Sequence, residues 1–168
     1  MTVLRSWLFV PGNQERRLNK ARSIQADVIV YDLEDSVPAE EKHNARQAVS
    51  SALQIGGGKL PYVRVNDASS GWMSDDLGSI VAPGLKGIML PKASMPAQLI
   101  QADERLKELE RERGLAEGEI DLVPLIETAE GVYRAYELAS CCRRVRRLAF
   151  GSVDYTLDIN GVLTDEGM

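Results

Sequence analysis

Short, largely apolar runs punctuate the chain, and between them lie longer segments whose apolar positions return every three or four residues. WLFV, VIVYDLE, YVRVN, GIMLPK, DLVPLIET and VRRLAFGSVD predict strands at 7–10, 28–34, 62–66, 87–92, 121–128 and 145–154. Helices are predicted at 13–24, 39–54, 73–82, 96–114 and 130–141. The second helix places Ala45, Ala48, Val49 and Ala52 on one face, and the fourth does the same with Leu99, Ala102, Leu106 and Leu109. A helix follows each of the first five strands.

Strict alternation of strand and helix requires parallel strands joined by helical crossovers, in a doubly wound open sheet or an α/β barrel of the TIM (β/α)8 type. Two features favour the barrel. No glycine-rich fingerprint follows the first strand, where a dinucleotide-binding sheet carries it. Polar residues close nearly every strand, as in barrels, whereas an open sheet gathers its site at one switch point. Six βα units are legible, and a complete barrel has eight in about 250 residues. The expectation is therefore one incomplete barrel domain over 1–168, with the last two units and any C-terminal segment lying outside it. An open arc leaves its end strands unpaired, so the missing wall comes from further sequence or from a neighbour. INGVLTDEGM, which resembles a loop entering a seventh unit, favours further sequence.

Composition narrows the partners. A net charge of −5 over 168 residues argues against a nucleic-acid ligand, since such domains carry a basic surface. The opening MTVLRSWLFVPG has an apolar run too short for a secretory or membrane segment, so a cytoplasmic protein without membrane contact is expected. Cys141 and Cys142 are adjacent and outside any CxxC pattern, which points to packing rather than redox chemistry.

VIVYDLEDS begins as a core strand and ends in Asp32, Glu34 and Asp35. Residues two apart on a strand share a face, so Asp32 and Glu34 follow Val28 and Val30. The same rule groups Arg64 with Asn66, Lys92 with Leu90, Glu127 with Leu125 and Val123, and Asp154 with Ser152 and Phe150. If those faces all look inward, Asp32, Glu34, Glu127 and Asp154 meet only Arg64 and Lys92, an excess of acid that needs protons or a cation when partly dehydrated. Glu127 and Asp154 end strands one βα unit apart, and neighbouring strands lie about 4.8 Å apart. Two hard oxygen ligands with open positions suit Mg2+. Zinc is disfavoured, because the chain has one histidine and its cysteine pair lacks partners.

RSWLFVPG, YDLEDSV with a following EK and AR, YVRVN, GIMLPK, PLIETAEGV and FGSVDYTLD occur here in order. This series resembles the citrate lyase β-subunit-like proteins of the HpcH/HpaI aldolase family, from Arg5 to Asp158. The resemblance implies an incomplete or completed TIM barrel, Mg2+ on Glu127 and Asp154, and Arg64 at the substrate. It further implies lysis or formation of a carbon–carbon bond between an acyl thioester and a keto acid, with coenzyme A as a frequent carrier. Homo-oligomers, often trimers, are implied as well. The expected substrate is a malyl-, citramalyl- or citryl-type thioester or a related hydroxy-dicarboxylate. A pyruvate-type aldolase acting on free hydroxy acids and a catalytically silent partner subunit are the rival readings.

Within that scheme Asp32, Glu34 and Asp35 hold metal-bound waters or orient Arg64 and Lys92, while Asn66, Lys92, Pro11 and Gly12 are candidate substrate contacts. Pro11 and Gly12, with Asn13, also read as a plain turn at the rim. The general base stays open among Asp35, a metal-bound water and a carboxylate from elsewhere. His43 reads as a solvated helix position, and Gly56 to Gly58 as a loop, since no helix follows them to bind an anion. Arg143, Arg144, Arg146 and Arg147 read as a solvated edge or subunit contact, and DERLKELERERG as the exposed face of its helix.

Overall fold

A computed structural model describes residues 3–55 and 59–164, so Gly56 to Gly58 lie outside the described residues. The elements run β1 (Trp7–Pro11), α1 (Glu15–Ala21), β2 (Val28–Asp32), a 3-10 turn (Ala39–Glu41), α2 (Lys42–Ile55), β3 (Leu60–Arg64), α3 (Met73–Ile80), β4 (Gly87–Leu90) and α4 (Pro96–Glu112). They continue through β5 (Asp121–Ile126), α5 (Ala129–Tyr133), α6 (Ala135–Ser140), β6 (Ala149–Phe150) and α7 (Ser152–Asp158). All six strands form one sheet in chain order, and every pairing is parallel. Sequential winding has no switch point, so it decides for a partial (β/α) barrel over a doubly wound sheet.

Alternating side chains divide the interior into two layers. Val28, Val30, Tyr62, Met89, Val123 and Leu125 cluster on the concave face with Trp7 against them. Ile29, Val63, Ile88, Leu90 and Leu122 face the opposite way and pack with the helical residues Val49, Leu77, Leu99 and Leu106. Burying a side chain of this size contributes about 1.5–3 kcal/mol, so a one-residue slip of any strand would exchange the layers at heavy cost. Gly87 serves the inner layer through its size. A Cβ there would lie 2.2 Å from the Tyr62 ring, which packs edge-on against Trp7 at 4.8 Å between centroids.

Four expectations are corrected. The sixth strand shrinks from 145–154 to Ala149–Phe150. Arg144 is drawn the other way: it is 3 % exposed, bonds Asp103 Oδ1 at 2.8 Å and straddles Glu110 at 2.7 and 2.9 Å. Val145 is thereby left with a single isolated bridge to Leu122. Arg144 is therefore a buried anchor rather than part of a solvated edge, and Arg147 similarly donates to the Tyr62 hydroxyl at 2.8 Å. The charged run of α4 is only partly exposed, because Asp103 and Glu110 turn inward to receive Arg144. Finally, the helix expected at 130–141 breaks at Arg134, whose φ of −96° and ψ of 11° separate α5 from α6. Cys141 and Cys142 are unbridged and half-buried, and His43 meets only Gln47 at 3.1 Å. Among the described residues no helix is long and apolar enough to cross a membrane.

Candidate active site

The C-terminal end of β2 organises the rim. Asp32 ends the strand and bends the following chain back on itself, accepting from Glu34 N at 2.9 Å and Ser36 N at 3.3 Å. The same two oxygens accept Arg64 Nε and Nη2, both at 2.7 Å, in a bidentate fork from the end of β3. Parallel register sets Asp32 directly beside Arg64. Arg64 Nη1 stands 3.0 Å from Glu34 Oε2 and 3.3 Å from Asp35 Oδ2, and the guanidinium lies 5.3 Å from the Phe9 ring centre. Arg64 is thus caged by three carboxylates. Burial raises the Asp32 pKa, but the Arg64 hydrogen bonds and charge reverse this and hold it below its ordinary value. Burial opposes the Arg64 charge too, and its acids more than compensate.

A second layer stiffens this loop from the helical side. Lys42 Nζ donates to the carbonyls of Leu33 at 2.7 Å and Glu34 at 2.8 Å, from a buried position at the start of α2. Asn66 is also on that side: its amide groups meet Asp76 Oδ2 and the Leu33 carbonyl, and Arg46 Nε closes the cluster on Asp76 Oδ1 at 2.7 Å. Gly12 likewise turns inward, with its N–H on Asp32 O at 2.8 Å and no room for a Cβ against that carbonyl.

Glu127 follows Val123 and Leu125 onto the concave face and is 2 % exposed. Its Oε1 accepts the Lys92 N–H at 2.7 Å. Burial pushes its pKa up to about 7 despite that bond, and the charges of Asp154 and Glu34 add to the rise. Asp154 arrives differently from the strand-end position expected of it. It occupies the first turn of α7, carried there because the chain leaves β6 at Gly151, whose N–H bonds Ile126 O at 2.9 Å. Lys92 is another departure from alternation. Leu90 packs in the outer layer, and a left-handed backbone at Lys92, φ 51°, swings its ammonium back to Glu34 Oε1 at 2.8 Å.

Pro11, Asp32, Arg64, Glu127 and Asp154 line a single cleft of about 1120 Å³ on the concave face. Glu34, Asp35 and Lys92 stand behind its wall through Arg64 and Glu127, whereas Gly12 and Asn66 support the loops. Sequence reasoning overlooked Phe9, Arg17 and Gly151 in this cleft, whereas Phe150 stands where it was expected, on the inward face. Phe9 was within reach, since it shares a face with Pro11. Gly151 was not, because its role is steric: a Cβ there would come within 2.6 Å of Glu127 Oε2.

Among the described residues no group of three or more His, Cys, Asp or Glu side chains could hold a metal. The carboxylate pair nevertheless fits a hard divalent ion. Glu127 is buried, its pKa is raised by that burial and further by the neighbouring acids, and Gly151 leaves its Oε2 clear of a Cβ. Two carboxylates without nitrogen or sulfur donors suit an ion that retains water and accepts substrate oxygens.

A parallel sheet curled in chain order, with acids and a caged arginine at the C-terminal ends of its strands, defines a (β/α)-barrel chain with its polar site on the rim. The chain belongs to the HpcH/HpaI aldolase/citrate lyase family, whose model matches residues 5–168. It is 33% identical over 165 residues to the citrate lyase subunit beta of Escherichia coli K12, covering 97% of this chain and 55% of that protein. A (3S)-malyl-CoA thioesterase of Cereibacter sphaeroides KD131 is 35% identical over 138 residues, 81% of this chain and 45% of the relative. The citrate lyase beta subunit of Mycobacterium tuberculosis, solved with oxaloacetate and magnesium, superposes with a TM-score of 0.76 at 28% identity, covering 96% of this chain and 65% of that one. The chain spans about half the length of the curated relatives it matches.

Proposed function

We propose that the protein is a cytoplasmic, Mg2+-dependent carbon–carbon lyase that cleaves or forms a 3-hydroxyacyl thioester of the malyl, citramalyl or citryl type. The observation that carries this reading is the placement of Glu127 and Asp154 along the same cleft as Arg64. Support comes from the relatives solved with magnesium and oxaloacetate, and with magnesium, acetoacetate and coenzyme A.

Glu127 and Asp154 would hold Mg2+, which supplies Lewis-acid polarisation of the hydroxyl and carboxylate oxygens that end as a keto acid. Arg64 is the electrostatic partner for the other product. Three hydrogen bonds to Asp32 and Asp35 and an ion pair with Glu34 hold the guanidinium among the described residues, leaving it with two of five N–H groups as a donor to the thioester oxygen, where enolate charge grows as the bond breaks. Because the acid cage fixes that donor before substrate arrives, little reorganisation is left for the reaction itself. Phe9 and Phe150 supply apolar wall on either side of the cleft, restricting water near the developing carbanion. Lys92 and Asp35, the charged groups outside the wall, brace this arrangement.

The test is cleavage of malyl-, citramalyl- and citryl-type thioesters by the full-length chain, with and without Mg2+. Release of a keto acid that requires Mg2+ and disappears in Glu127→Gln is expected. Cleavage of free hydroxy acids at equal rates would transfer the assignment to a pyruvate-type aldolase, and no cleavage of any substrate would remove it.

A further inference from the structure

Lys92 is one of two residues other than glycine in the described chain with a positive φ. Left-handed backbone is unfavourable for a long side chain and persists where the surroundings over-determine it. Here the conformation sets up contacts on two sides. The Lys92 N–H reaches Glu127 Oε1 at 2.7 Å, while the ammonium reaches Glu34 Oε1 at 2.8 Å. Behind it, Gln98 Nε2 approaches the Lys92 carbonyl at 3.4 Å, and Gln98 Oε1 takes the N–H groups of Ser94 and Met95 at 2.9 and 2.8 Å. The loop leaving β4 is therefore pinned on both flanks of the strained residue, which stops the backbone relaxing into an extended course.

The ammonium could reach Glu34 from many backbone conformations, because four methylenes separate it from Cα. The N–H has no such freedom. Its direction is fixed by the φ and ψ of the residues that flank it, so the left-handed turn matters chiefly for Glu127. On the opposite side of that carboxylate, Gly151 offers no Cβ within reach of Oε2. One oxygen is held by the backbone and the other is left open.

We propose that Lys92 is a positioning residue whose left-handed backbone aims Glu127 at the cation, a task separable from the charge of its side chain. The proposal rests on the metal reading given above, and the experiment distinguishes the two. Mg2+ affinity of the full chain is measured by titration calorimetry, and confirmed with Mn2+ by paramagnetic resonance, for wild type, Lys92→Gly, Lys92→Asn, Lys92→Ala, Lys92→Val and Glu127→Gln. Far-ultraviolet dichroism and thermal melting verify that each variant folds. Glycine and asparagine tolerate positive φ, alanine does so poorly and valine worst, while all four lose the ammonium and keep the N–H. Affinity within about twofold of wild type is expected for Gly and Asn, with a graded loss in Ala and about tenfold or more in Val.

Equal weakening in all four variants would assign the effect to the ammonium and overturn the proposal. Wild-type affinity in Ala and Val would overturn it as well, with the metal reading left standing on the loss seen in Glu127→Gln. Should Val fail to fold, the comparison of Gly and Asn with Ala decides. Undiminished binding by Glu127→Gln would remove the metal reading and this proposal with it.

Discussion

Asp32 has two tasks within one carboxylate, since it both turns the β2 loop and clamps Arg64. Without the Asp32 charge Arg64 keeps Glu34 and Asp35 but loses its bidentate partner, and a hydrogen bond to a charged group contributes about 1.5–3 kcal/mol. Asp32→Asn is thus expected to lower stability by about 2 kcal/mol in a denaturant titration near neutral pH. It should also reduce kcat/KM by about 10–100-fold, as loss of a ligand-orienting partner does. The pH dependence has a definite sign. Folding depresses the pKa of Asp32 below its ordinary value of 3.8, so the folded state binds this proton less readily than the unfolded one. Its contribution is complete well above pH 3.8 and falls away as the pH drops through that value and below. Wild type and Asp32→Asn should therefore converge in stability on acidification. A difference that stays constant down to the acid transition would show that the clamp is not what the substitution removed.

Elements rather than single residues decide whether Glu127 and Asp154 meet. Glu127 leaves β5, Asp154 sits on α7, and besides the Gly151 N–H on Ile126 O a second contact ties the two segments: Asp158 Oδ2 accepts Ala129 N at 2.8 Å, joining the end of α7 to the start of α5. Asp158→Ala should weaken Mg2+ binding several-fold in a calorimetric titration, and Asp158→Asn should recover most of it, because the amide oxygen still accepts. Equal loss in both would point to charge instead of tether. This arrangement also shows what the sequence could and could not convey. Strand order, the two-layer core and the inward face of Glu127 follow from alternation, which holds while the chain remains extended. Lys92 escaped it through one dihedral angle, and Asp154 escaped it because β6 gives way to a helix after two residues. Arg144 misled for another reason. A run of arginines looks solvated until the acids of a distant helix turn to face it, and that meeting of Asp103 and Glu110 with Arg144 depends on packing rather than on any local pattern.

At the scale of the whole molecule, the sheet curls without closing among the described residues. β1 pairs only with β2, and β6 only with β5. Such edges template further pairing unless covered, and the cleft opens between them, with Phe9 on one lip and Phe150 on the other. Apolar exposure continues around the β6 side. Tyr133 and Tyr136 are each 86% exposed, and Phe150, Val153 and Leu157 are more than half exposed. Large apolar side chains exposed in number between residues 133 and 157 point to a surface that is covered in the assembled protein. A homo-oligomer is the expected state, and sedimentation of the full chain at micromolar concentration should give a multiple of the monomer mass. Introducing charge at the two tyrosines, Tyr133→Glu with Tyr136→Glu, should shift that equilibrium toward monomer without changing the dichroism spectrum, since neither side chain is buried in the fold. A monomer at every concentration would place the cover for this surface within a single chain. Sedimentation unmoved by the double substitution would instead place the contact at the strand edges, where backbone pairing rather than tyrosine provides the join.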